Sequence, residues 1–245
     1  MNSRRRRAIE RGAEGTPLCG WTQFRAILRK DLIRELRTRD MLVSMILFVL
    51  LAMVIFHYAF TVKENADLTY FTGGMLWVTF IFAMLLGLNR SFAQEKDERC
   101  LDGLLLCPVD RVTIFFAKSA GNLIFLLIIQ AVAVPVFTLF FIQRSYAGDL
   151  LPFLVVLLLA DVGICALGTL LATISMNTRS RDLLLPILLL PLIVPVLIAA
   201  TGATTLIFAE GAGFADLAAR LLFLLGFDAV FLVAAWGTYD FAIGE

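Results

Sequence analysis

Residues 151–175 read LPFLVVLLLADVGICALGTLLATIS, an apolar run whose one charged side chain is Asp161. As an α-helix rising 1.5 Å per residue it would extend about 37 Å. That exceeds the roughly 30 Å of hydrocarbon in a bilayer. The run shows neither the alternation of a half-buried strand nor the polar face of a soluble amphipathic helix, so it reads as a membrane span.

Five further runs of this kind lie on either side of it, at about 41–62, 69–89, 114–142, 183–208 and 217–239. The whole chain of 245 residues is 60% apolar and 17% charged, with a mean hydropathy of +0.88. Soluble domains carry about 25% charged residues, so lipid is the solvent for most of this chain. The expected fold is all-α and polytopic, with six transmembrane helices in one unit over 21–245. The fifth run contains Pro186, Pro191 and Pro195, where kinks are expected because neighbouring helices can satisfy the freed carbonyls. Between the fifth and sixth runs, residues 201–216 are rich in Gly, Ala and Thr and are expected to form a loop, at the surface or dipping back into the membrane.

Charge sets the expected orientation. Residues 1–40 hold 11 Lys/Arg against 5 Asp/Glu. With the N-terminus inside, 18 Lys/Arg fall on the cytoplasmic side and 3 outside, namely Lys63, Arg144 and Arg220. The positive-inside rule then places both termini in the cytoplasm. Residues 1–20 are basic and aperiodic, which suggests a disordered extension. Polar residues follow Arg4 to Arg7 where a secretory apolar region would stand, so no signal peptide is expected. A nucleic-acid role is not expected, because no binding module follows the basic head.

From Trp21 to about residue 39 the pattern becomes helical. Trp21, Phe24, Leu28, Leu32 and Leu36 form one stripe, flanked by Arg25, Arg29, Lys30, Arg34 and Arg37. Such an amphipathic helix suits the headgroup plane of the cytoplasmic leaflet, or a partner protein. The connection between the second and third spans is also two-natured. Its first half is charged (Arg90, Glu95, Lys96, Asp97, Glu98, Arg99), and its second half is apolar (Leu101, Leu104, Leu105, Leu106) up to Pro108 and Arg111. A solvated loop would expose those leucines to water without benefit, so docking into a groove of a cytoplasmic partner is expected.

The sequence lacks G-x-x-x-x-G-K-[ST] and G-x-G-x-x-G, so no nucleotide site of its own is expected. Cys19, Cys100, Cys107 and Cys165 form no C-x-x-C pair and are expected to be free thiols. The single histidine, His57, near the outer end of the first span, cannot build a histidine metal cluster. Its alternatives are a structural interfacial role and contact with haem or a proton. Asp161 and Asp228 lie near the bilayer midplane, where an isolated carboxylate costs about 2.5–3.5 kcal/mol on insertion scales. Both are expected to point into the protein at similar depth. They would share a polar site with each other through one proton, or with Asn122, Gln130 or Thr169.

Several stretches resemble the haem exporter protein B family, the CcmB-type permease of the cytochrome c maturation system. They are Leu86 to Phe92 with Glu95; Leu104 to Arg111 with Lys118 and Asn122; Asp161-Val162-Gly163; Ala166 to Leu170; Arg179 and Leu184-Leu185-Pro186 on to Pro191 and Pro195; and Phe227-Asp228. The likeness runs from about Trp21 to the C-terminus. It departs at Ala117, where the family usually has Gly, and in the longer basic head. The resemblance implies an ABC-2-like permease subunit of the bacterial inner membrane, not an enzyme, working with a separate ABC ATPase. It implies further membrane partners, a haem-handling protein and a small membrane protein, with a second copy of the chain left open. It implies haem as cargo and ATP supplied through the partner, with no cofactor held by this chain. The rival readings are an ABC-2-type exporter of a drug, lipid or glycan, and a membrane scaffold without an ATPase.

Overall fold

The computed structural model describes residues 20–61, 69–97, 111–141, 148–176 and 181–243. The described residues form helices and short turns and include no strand. In chain order the helices are α1 (Gly20–Thr38), α2 (Asp40–Thr61), α3 (Thr69–Asp97), α4 (Arg111–Phe141), α5 (Leu150–Met176), α6 (Arg181–Thr205) and α7 (Phe214–Ile243). A π-helical turn, Leu206–Glu210, continues α6. The six from α2 to α7 are each long and apolar enough to cross a membrane.

Side-chain periodicity explains how the six pack. On α2, Met41, Met45, Val49 and Met53 recur every fourth residue and are buried, while Val43, Leu47, Leu51 and Ile55 recur on another face and are exposed. Such spacing puts one stripe on the bundle and another on its surroundings. On α6 the buried stripe is Leu185, Leu189, Ile193, Val196, Ala200 and Ala203. Exposed leucines, valines and isoleucines on α2, α6 and α7 would be an aggregation hazard in water. On a lipid-facing wall they are the expected composition.

Helices α3 and α5 form the interior. The apolar window of α3 is 72% buried and that of α5 is 61% buried, against 17% for α7. Helix α5 packs against α3, α4, α6 and α7, which makes it the hub of the bundle. Trp77, Phe80, Phe115, Phe137 and Phe153 fill the space between helices with almost no exposed surface. Helix α1 packs chiefly along α4.

Helix α3 continues beyond its apolar run, through Arg90 to Asp97, so the first part of the charged connection is helical. The helix of α6 runs through Pro186, Pro191 and Pro195, and the last two lie on its exposed face. A further proline inside a helix, Pro135 of α4, was not among the expected kink positions.

The expected loop over 201–216 is corrected. Helix continues to Glu210, and only 211–213 turn, with Gly211 in the left-handed region at φ 67°. The small residues serve helix contact instead of turning the chain. A Cβ on Gly73 of α3 would stand 2.9 Å from Thr205 Oγ1, and one on Gly202 would stand 3.1 Å from Arg220 Nε of α7. Thr204 Oγ1 accepts from Trp77 Nε1 at 2.9 Å and donates to its own helix at Ala200 O. Small residues are enriched where membrane helices approach closely, and this stretch follows that rule.

Candidate functional site

Two polar layers cross the bundle. The first lies inside the membrane span, between α4 and α5. Gln130 Nε2 donates to Asp161 Oδ1 at 2.9 Å, and Asn122 Nδ2 donates to Thr169 Oγ1 at 3.0 Å. All four side chains are buried. Asp161 lies eleven residues beyond Leu150, about 16 Å along α5. Polar groups at that depth have little water to bond, so each partner is held by the other.

Asp228 approaches the same level from the opposite side of α5. Its Oδ1 lies against the position that a Cβ on Gly163 would occupy, with Phe227 beside it. Gly163 is two residues past Asp161, hence about 200° around the helix. The two carboxyl groups are therefore close in depth but flank α5 on different sides. No hydrogen bond joins them among the described residues. Asp161 Oδ2, Gln130 Oε1 and Asp228 Oδ1 are buried oxygens without a hydrogen-bond partner there. Cys165, one turn beyond Asp161, is a buried free thiol; Cys19, Cys100 and Cys107 lie outside the described residues.

The second layer sits where α1 meets α2, α3 and α4. Lys118 Nζ donates to Asp31 Oδ2 at 2.7 Å, and both side chains are about nine-tenths buried. One turn along α1, Glu35 Oε1 accepts from the backbone N–H groups of Met41 and Leu42, each at 2.9 Å. A helix leaves its first N–H groups without partners, and a carboxylate at that end is also attracted by the positive end of the helix dipole. The chain turns the corner through Arg39, a non-glycine residue at φ 60°. Arg90 Nη1 donates to Asp40 O at 2.7 Å and ties the end of α3 to the start of α2.

Sequence reasoning missed the roles of Asp31, Glu35, Trp77 and Thr204. The signal for the first two was present. Ile27, Asp31 and Glu35 recur every fourth residue on one face of α1, and that face is the buried one. The leucine stripe lies on another face of the helix, where Trp21 and Leu36 are exposed.

Of the connection expected to dock a partner, Arg90 and Arg111 are described at its two ends. Glu95 lies within α3 with its side chain outside the description. Leu101, Leu104, Leu105 and Pro108 lie outside the described residues. His57 stacks on Phe140 at 4.9 Å between ring centroids and meets Tyr58 and Phe141 edge-on. No group of three or more His, Cys, Asp or Glu able to hold a metal ion occurs among the described residues.

An all-helical bundle with six apolar spans, a polar seam through its middle and an amphipathic helix at one end is the architecture of a multi-pass membrane permease. The family model described as CcmB protein matches residues 22–244. The chain belongs to the CcmB family. It is 32% identical to heme exporter protein B of Paracoccus denitrificans (strain Pd 1222) over 162 residues, covering 66% of this chain and 71% of that protein. It is 29% identical to heme exporter protein B of Rhodobacter capsulatus over 175 residues, covering 71% and 79% respectively. Heme exporter protein B of Pseudomonas aeruginosa is 28% identical over 141 residues, 57% of this chain and 62% of that protein.

Proposed function

We propose that this chain is the membrane permease subunit of an ABC transporter complex that delivers haem across the bacterial inner membrane for c-type cytochrome assembly. The observation that carries the reading is the family match over 22–244, which takes in all six spans. Its curated relatives are heme exporter proteins. The chain has no phosphate-binding motif, so ATP hydrolysis belongs to a separate ATPase subunit.

The connection over 90–111 is the docking segment for that subunit, with both termini on the same, cytoplasmic, side. Its placement gives docking a mechanical consequence. The connection begins on the last turns of α3, from Arg90 to Asp97, and enters α4 at Arg111. Seven residues into α4, Lys118 grips α1 through Asp31; further along, Asn122 and Gln130 grip α5 through Thr169 and Asp161. A push on the connection would reach α1 and α5 together through α4.

Replacing Leu104 and Leu105 with Asp tests docking. Seating an unpaired charge in an apolar groove costs about 3–5 kcal/mol. The variant should accumulate in the membrane and fail to co-purify with the ATPase. Undiminished co-purification would refute the docking role.

A further inference from the structure

Helix α1 carries seven charged side chains: Arg25, Arg29, Lys30, Asp31, Arg34, Glu35 and Arg37. The fold treats the two signs differently. Asp31 and Glu35 are 7% and 4% exposed, and each is engaged, one by Lys118 and the other by the N-terminus of α2. Arg25, Arg29, Lys30 and Arg37 are all exposed. Folding removes every carboxylate of the helix from its surface and leaves a purely cationic shell.

Set into that shell is a shallow apolar groove, lined among the described residues by the outward face of α1 alone. An open cavity of about 600 Å³ runs along α1, walled mainly by Trp21, Leu28, Leu32, Ile33 and Leu36, with Arg25 and Arg29 beside them. The two arginines are four residues apart, hence stacked on one face. Neither is in an ion pair among the described residues. Their guanidinium groups can lift toward a charged surface while their stems lie on the leucines. The opposite face of the helix is tied to α4, so the groove keeps a fixed outward orientation.

We propose that this groove binds an anionic phospholipid of the leaflet on the N-terminal side. The phosphate would sit between Arg25 and Arg29, and an acyl chain would run along Leu28, Leu32 and Leu36. Charge complementarity selects the occupant. A planar guanidinium pair matches phosphate oxygens. With Asp31 and Glu35 withdrawn, α1 offers no surface carboxylate to receive the ammonium of a zwitterionic headgroup. The chain continues from α1 straight into the span that starts at Asp40, and the exposed tryptophan is typical of a membrane interface.

The test is native mass spectrometry of the full chain in detergent with equal amounts of dioleoyl-phosphatidylglycerol and dioleoyl-phosphatidylcholine. The chain should retain the anionic lipid in preference. Arg25→Gln and Arg29→Gln should each weaken that preference by about fivefold, the effect of one cation near an anionic surface. The Lys variants should keep most of it, and Arg37→Gln, outside the groove, should lose little. Equal retention of both lipids by the native chain overturns the proposal. So does unchanged selectivity in the Arg25→Gln/Arg29→Gln double variant. If that variant keeps its lipid but sheds a co-purifying membrane protein, the groove is a protein interface and the proposal is wrong.

Discussion

Gln130 bonds Asp161 in the same register in which Asn122 bonds Thr169. The intervals from 122 to 130 and from 161 to 169 are both eight residues, and they run in opposite directions along α4 and α5. Eight residues is about 12 Å of helix. Two pairs so spaced fix the sliding position of α4 on α5, because a slip by one turn would break both bonds and strand four buried polar groups.

The first prediction tests this register by a double-mutant cycle. Asp161→Leu strands Gln130, and Gln130→Leu strands Asp161. Each should cost about 1–3 kcal/mol, because an unsatisfied buried group loses its full hydration. Replacing both by Leu should recover much of the loss, and Asp161→Asn should be mild because it keeps shape and hydrogen-bonding capacity. Thermal midpoints of the detergent-purified variants check the energetics, and cytochrome c assembly checks function. If Asp161→Asn accumulates normally but fails in assembly as badly as Leu, the carboxyl has a chemical role beyond register.

Gly163 supplies the second prediction. Its missing side chain is what lets Asp228 and Phe227 of α7 reach α5. Gly163→Ala should therefore destabilise by about 1–3 kcal/mol, the usual cost of overpacking. At Gly168 a new Cβ would meet Leu88 Cδ1 at 2.7 Å, the end of a flexible side chain, so Gly168→Ala should be milder. Adding Asp228→Ala to Gly163→Ala should restore part of the lost stability in a thermal-shift measurement. No restoration would mean that Phe227 or the backbone carries the clash.

The six spans were legible because hydrocarbon demands a long apolar run and tolerates little else. Asp161 and Asp228 were legible as inward-facing for the same reason. Their separation around α5 was not, since it depends on the rotation of three helices and on Gly163 being small. Residues 201–216 misled because Gly, Ala and Thr serve both loops and close helix contacts. Only the partners, Trp77, Gly73 and Arg220, distinguish the two. On α1 the leucine stripe is the conspicuous pattern, but it is not the inward one. The actual inward stripe contains two acids, which burial permits only because Lys118 and the start of α2 receive them.

The orientation yields a third prediction. A reporter active only in the periplasm should be silent when fused after Glu245 and active when inserted near Asn65. The 18-to-3 division of Lys/Arg motivates it. Activity at both positions would require an odd number of spans.

The fourth prediction concerns the clasp between Asp31 and Lys118. Their attraction does not guarantee net stability, because both charges lost water when they were buried. What it does guarantee is a penalty for removing one partner. Lys118→Met leaves Asp31 enclosed without its 2.7 Å partner, while Lys30 Nζ, 3.3 Å from the other carboxylate oxygen, belongs to a side chain that is 40% exposed. Asp31→Leu leaves the ammonium of Lys118 enclosed in turn. Each single variant should lose about 3–5 kcal/mol, while the pair Asp31→Leu/Lys118→Met should regain most of it. Limited proteolysis at the Arg and Lys residues of α1 gives the structural readout: faster cleavage in each single variant and near-native rates in the double. If the clasp also transmits movement from the docking segment, the double variant should fold and bind the ATPase yet assemble less cytochrome c than the native chain. A double variant that is native in all three measurements would reduce Asp31 and Lys118 to a structural pair and leave Asn122–Thr169 and Gln130–Asp161 as the route from α4 into the bundle.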